Sequence, residues 1–224
     1  SGVRFPVKFG GIVKKDALRQ IVQEIRVPYV LHFTQAQNLP SIMSKGIFPV
    51  SRSSELPVLP KVNDLLRLDG HEDGVSASIG FPNCQMFYKY RITDPTTDWV
   101  VLVMNPRILW EKDCAFCKHN AADSRISSRS LEELKGPDSL KGLFAELEGL
   151  PSRADQRLKS YDPTDVQAEV LIFDIIEPAL IAGAVFEDLR VKTENEQYVG
   201  GIKTYLHSKG KGLFATRNYV RKYD

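Results

Sequence analysis

Long apolar runs are missing from this sequence. None approaches the roughly 18 residues that a membrane-spanning helix needs, which argues against helical channels and transporters. Cysteine is scarce, at three residues in 224, an odd number without a disulfide framework. That argues against a cross-linked secreted scaffold, and a cytoplasmic location is expected. No signal-peptide pattern opens the chain, in keeping with that expectation. No G-x-G-x-x-G follows a strand-like run and no G-x-x-x-x-G-K is present, so neither a Rossmann dinucleotide site nor a P-loop is indicated. Charge of one sign is lacking too. Lys and Arg number 30 against 28 Asp and Glu, a net charge of +2, so nucleic-acid binding has to be argued from where the charges sit. Metal-ligating residues are thin: Cys114, Cys117 and His119 make C-x-x-C-x-H, half of a zinc site, but Cys84 and His71 lack the paired spacing of a second half. No metal is expected.

What the sequence does hold is ordinary core material, with 42% of residues hydrophobic, enough for one domain of this length. The stretch 14–26 spaces Leu18, Ile21, Val22 and Ile25 at helical intervals, predicting an amphipathic helix in an N-terminal extension over about residues 1–27. A β-branched and aromatic run at 28–33 predicts a strand, and 38–47 a helix stopped by Gly46. Residues 50–74 form a long polar excursion of the kind that is often functional. Further strands are expected at 74–81, 98–106, 168–176 and 180–187, a short final strand at 212–220, and a helix at 84–91. Between 107 and 165 only short helices are legible, and 151–167 reads as a polar surface loop. Strands scattered through the chain, with helices between only some of them, predict a single α+β domain over residues 1–224.

Three groups of residues stand out. His32 and Thr34 end the first clear strand, where they either satisfy local backbone groups or face a ligand with an imidazole and a hydroxyl. Glu169 opens an otherwise apolar strand. A carboxylate there is innocent at a surface edge, but in a cleft it is a general base or a ribose-binding group. Arg153, Arg157 and Lys159 with Tyr161, and later Lys203, Lys209, Lys211, Arg217, Arg221 and Lys222 with Tyr205, Tyr219 and Tyr223, interleave cations with rings. Solvated faces look like this, and so do surfaces that hold phosphates and unstacked bases of a single strand.

Taken in order, "LHFTQAQNLPSIMSKGI", "LLRLDG", "HEDGVSASIGFPNCQMFY" and "QAEVLIF", over about residues 29–178, resemble the DarT family, bacterial toxins that transfer ADP-ribose from NAD onto a base of single-stranded DNA. The resemblance implies an ADP-ribosyltransferase-like fold with a split central β-sheet and flanking helices, with NAD as co-substrate. It also implies single-stranded DNA as substrate and, as partner, an antitoxin with macrodomain-type ADP-ribosylhydrolase activity. Residue by residue, it implies that Glu169 is catalytic, that Arg67 serves the NAD phosphates, and that His119 stands at the mouth of the site. His32, Thr34, Asn38, Ser76, Ser78, Met86 and Tyr88 would bind NAD, and Arg153, Arg157, Lys159 and Tyr161 the nucleic acid. Ser76, Ala77 and Ser78 stand where family members often carry aromatic residues, which leaves the target base open between thymidine and guanosine. An RNA-directed transferase and a non-catalytic nucleic-acid-binding module are the competing expectations.

Overall fold

Short, largely apolar runs rich in β-branched residues give the described residues their strands, which join one sheet. The computed structural model describes residues 8–61 and 70–223. Among these the strands are β1 (Val30–Gln35), β2 (Gly74–Ile79), β3 (Trp99–Met104), β4 (Cys114–Cys117), β5 (Glu169–Phe173), β6 (Ile181–Phe186) and β7 (Lys203–Leu206), in the spatial order β4-β5-β2-β1-β3-β6-β7. Neighbours are antiparallel except β6 and β7, which run parallel. The helices are α1 (Lys8–Ile25), α2 (Leu39–Lys45), α3 (Cys84–Thr93), α4 (Ile108–Glu111), α5 (Ser124–Ser127), α6 (Pro137–Gly142), α7 (Leu189–Val199) and α8 (Arg217–Tyr223).

The sheet is split at its centre. β1 pairs with β3 along its whole length, from Val30 opposite Met104 to Gln35 opposite Trp99. Its ladder with β2 consists of Val30 opposite Ile79 and Leu31 opposite Ser78, after which the two strands part. The expected α+β class with a split sheet and flanking helices is therefore the observed architecture.

The two faces of the sheet are packed differently. One carries a continuous core in which Val30, Val75, Ala77, Val100, Leu102, Met104, Val170, Ile172 and Ala184 meet side chains of α1, α2, α4, α6 and α7. On the other face Leu31, Val101 and Val185 pack with Phe87 and Phe214, while Ala115, Cys117, Leu171 and Phe173 form a separate cluster with Ile126 and Leu134. Between those two clusters, by the strict alternation of a strand, stand Ser76, Ser78 and Glu169.

Gly46 ends α2 as expected, and a side chain is impossible there. At φ +98 a Cβ would lie 2.3 Å from the carbonyl oxygen of Ile176, against which Ile47 pairs.

The expected final strand over 212–220 is not formed. Leu213 and Phe214 are adjacent and both buried in the same cluster, which neighbours pointing to opposite faces of a strand cannot arrange, so a 3₁₀ turn (Gly212–Phe214) delivers them there and α8 follows. Three elements had too little signal to be read: β4 is four residues long, β7 is mostly exposed, and α7 buries only Val191 and Val199 behind an Asp188 cap.

Candidate active site

Where β1 and β2 part, a cavity opens, with about 1030 Å³ of empty space counting the solvent at its mouth. It is lined by consecutive residues of both strands, Leu31 to Thr34 and Gly74 to Ser78. Consecutive residues point to opposite faces, so the cavity passes into the split itself and does not merely lie on the sheet.

Ser76 is the hub of the split. Its carbonyl, left without a ladder partner on β1, accepts from His32 Nδ1 at 2.8 Å. A carbonyl can only accept, so Nδ1 carries the proton. Burial pushes the His32 pKa below its ordinary value, partly offset by the bond to Ser76. The ring is neutral at pH 7, and Nε2 is a bare acceptor.

The Ser76 hydroxyl donates to Glu169 Oε1 at 2.8 Å, and the Ala121 backbone N–H donates to Oε2 at 2.6 Å. Glu169 is 6% exposed and lines the cavity. A buried carboxylate needs such donors, and here they fix both oxygens in space.

The loop that supplies the Ala121 amide is itself tied down. His119, 4% exposed, meets Asp165 Oδ2 through Nδ1 at 2.8 Å. Asn120 and Ala122 line the cavity, whereas His119 does not, so the histidine expected at the mouth sits behind the loop. Asn38 also stands one layer back. Its side-chain amide donates to Thr34 Oγ1 and to the Lys61 carbonyl, both at 3.0 Å, and its Oδ1 accepts from Lys61 N at 2.9 Å. This amide-to-backbone clasp brings Lys61 to the cavity wall. Arg67 lies outside the described residues.

Other expected residues divide. Thr34, Ser78 and Met86 line the cavity; Tyr88 does not, and is 59% exposed. Residues four apart share a helix face, so Met86 brings Tyr90 to the cavity while Tyr88 points elsewhere. In the 151–167 segment Arg157 and Lys159 are exposed and Tyr161 is partly buried. Arg153 is committed to its own loop, donating to the carbonyls of Lys159, Ser160 and Asp162 and to Thr164 Oγ1. Two cations of the chain's end act likewise: buried Arg217 donates to the carbonyls of Pro163 and Thr164, and Arg221 grips Asp162 bidentately at 2.7 and 2.8 Å. These three arginines hold the segment that leads into Glu169.

The C-x-x-C-x-H pattern resolves into structure. Cys114 packs in the continuous core and Cys117 in the opposite cluster, because a separation of three on a strand puts side chains on opposite faces. Burial pushes the Cys114 thiol up to about 12. Among the described residues no group of three ligating side chains is poised to hold a metal.

The family model described as "ssDNA thymidine ADP-ribosyltransferase, DarT" matches residues 31–214. No curated protein matches the chain. Among solved structures, the fold is similar to Thermosipho africanus DarTG in complex with ADP-ribose (TM-score 0.58, 16% identity), with 83% of this chain matching 50% of that one. It is also similar to Thermus sp. 2.9 DarT in complex with NAD+ (TM-score 0.50, 16% identity, 80% of this chain and 94% of that one). The same Thermus protein in complex with ADP-ribosylated ssDNA matches at TM-score 0.53 and 16% identity, over 81% and 95% of the two chains. The chain thus spans about half the length of the DarTG protein and nearly all of the Thermus one.

Proposed function

This chain belongs to the DarT family of single-stranded-DNA ADP-ribosyltransferases, and we propose that it transfers ADP-ribose from NAD to a base of single-stranded DNA, releasing nicotinamide. The observation that carries this reading is Glu169, a buried carboxylate clamped by the Ser76 hydroxyl and the Ala121 amide at the wall of a cavity in the split sheet.

Cleavage of the nicotinamide–ribose bond builds positive charge on the ribose, and a carboxylate fixed beside the 2′-hydroxyl stabilises it. The bonding electron pair leaves with nicotinamide, which becomes neutral. A base nitrogen then bonds to the anomeric carbon and its proton passes to Glu169. Neutral His32 offers Nε2 to a hydroxyl or amide of the bound dinucleotide, and Thr34, Ser78 and Met86 complete its pocket. Asn38 positions Thr34 and Lys61. Arg67 neutralises the diphosphate, for which the planar guanidinium fork is suited. His119 acts through the loop that carries the Ala121 amide. Exposed Arg157 and Lys159 meet DNA phosphates, and Tyr161 offers a ring to an unstacked base. Thymidine is the base named for the family; the Ser76-Ala77-Ser78 departure keeps guanosine as the alternative. An antitoxin that hydrolyses the product would hold such an enzyme in check in the cytoplasm.

Labelled NAD incubated with oligonucleotides of each base, as DNA and as RNA, tests the proposal. Label is expected on single-stranded DNA containing one base, and Glu169→Gln should lower the rate by about a thousandfold or more. Label on protein alone, a preference for RNA, or an undiminished rate in the variant would overturn it.

A further inference from the structure

Asn83 was not among the residues singled out in the sequence, yet it is 2% exposed and lines the cavity. Its Oδ1 accepts from Met86 N at 3.1 Å, capping α3. Its backbone N–H donates to Ser78 Oγ at 3.2 Å. The cap fixes which way the side-chain amide faces, because a flip would turn the Nδ2 donor against another donor. Nδ2 is then the polar group that Asn83 has left to offer, and among the described residues it has no hydrogen-bond partner. Three other buried side-chain nitrogens share that condition, on Trp99, Arg107 and Arg217, but none of those residues lines the cavity. A buried donor without an acceptor is unfavourable enough to be rare, so one on a residue that lines a cavity points to a ligand acceptor.

Resting on NAD as the bound dinucleotide, we infer that Asn83 Nδ2 reads the carboxamide oxygen of nicotinamide. The cavity lining that comes from α3 and from the second face of β1 is Leu31, Phe33, Met86 and Tyr90, which suits a flat ring and not a phosphate. Ser78, which Asn83 touches, is two residues along β2 from Ser76, which holds Glu169. Two strand residues span about 6.6 Å. That is comparable with the reach from a ribose anomeric carbon across a pyridinium ring to its carboxamide, so with Glu169 at the ribose the amide group arrives at Asn83.

The test crosses one variant with one ligand change. Asn83→Ser keeps a side-chain oxygen for the α3 cap and removes the amide donor. Binding is measured by calorimetry for carba-NAD, which resists cleavage, for the same dinucleotide with hydrogen in place of the carboxamide, and for ADP-ribose. In the unaltered protein, loss of the carboxamide should weaken binding about tenfold. In Asn83→Ser the two dinucleotides should bind within twofold of each other, with ADP-ribose affinity unchanged. Equal binding of the two dinucleotides to the unaltered protein overturns the inference, as does a variant that still discriminates tenfold. Should Asn83→Ser not fold, Asn83→Asp, which keeps the Oδ1 cap on α3 and replaces the donor with an acceptor, takes its place, with the same loss of discrimination expected. If carba-NAD and ADP-ribose both fail to bind the unaltered protein, the NAD reading itself falls.

Discussion

The two faces of the sheet are made from the same strands, and only one of them is continuous. On the first face Val75, Ala77, Val100, Leu102, Val170 and Ile172 join one core, and the polar residues of β1 on that face, His32 and Thr34, stand opposite Leu102 and Val100 at the split. On the second, Ser76, Ser78 and Glu169 divide Leu31 and Val101 from Leu171 and Phe173. The interruption falls at β2 and β5, beside the gap where β2 leaves β1. A strand that loses its ladder leaves carbonyls needing donors, and His32 supplies one to Ser76. Most of the packing thereby falls on one face and the clamp on Glu169 on the other, with His32 and Thr34 reaching the split from the packed face.

That division can be broken from either side. The largest effect is expected on the continuous face. Leu102 is fully buried, opposite His32 on β1 and Ala184 on β6. Leu102→Ala should cost about 3 kcal/mol, lowering the melting midpoint by roughly 6–12 °C for a domain of this size. At saturating NAD the rate per folded molecule should stay within about twofold, because the truncation leaves the donors to Glu169 in place, and any loss should fall on NAD affinity through His32, the cross-strand neighbour of Leu102. A comparable melting shift accompanied by lost transferase activity would mean that the faces are coupled.

Ser76→Ala works on the other face. It removes one of the donors that fix Glu169 while the Ala121 amide remains. A hydrogen bond to a charged group is at stake, so kcat/KM should fall about tenfold, roughly 1.4 kcal/mol of barrier. Thermal denaturation should move by less than about 1 kcal/mol. A large stability loss with little change in rate would reverse the assignment of Ser76 from site to scaffold.

The same division explains what could be read in advance. β1, β3, β5 and β6 were legible because burial on both faces writes near-continuous apolar runs, and β2 because it alternates; polar residues within the apolar runs, such as His32, Thr34 and Glu169, stand out by contrast. The donor to Glu169 from Ala121 was illegible, since a backbone amide has no residue type. Tyr88 is implied by the resemblance to a family pattern, and the phase of α3 behind its Asn83 cap brings Tyr90 with Met86 to the cavity instead. Arg153 looked available for DNA because composition cannot tell a cation facing solvent from one satisfying its own loop's carbonyls.

The smallest expected effect is a slope and not a step, and it concerns the residue that bridges the split. In the unfolded chain His32 takes up a proton near pH 6.5. Folded, its pKa is lowered by burial, against the opposing pull of the Ser76 carbonyl. Between those two values the unfolded state binds more protons, so stability rises with pH. The contribution is complete above the unfolded pKa and is lost as pH falls from there through the folded value. His32→Gln keeps a donor for the Ser76 carbonyl and cannot titrate. Chemical denaturation of both proteins across pH 5 to 8 should therefore give curves whose difference is flat above about pH 7 and narrows or reverses on the acid side, where the unaltered protein alone loses stability. Binding of carba-NAD should weaken over the same acid range in the unaltered protein only, since protonation removes the Nε2 acceptor. A difference curve flat throughout would mean that the ring keeps enough access to water through the cavity to titrate as it does unfolded, although it stands on the packed face opposite Leu102.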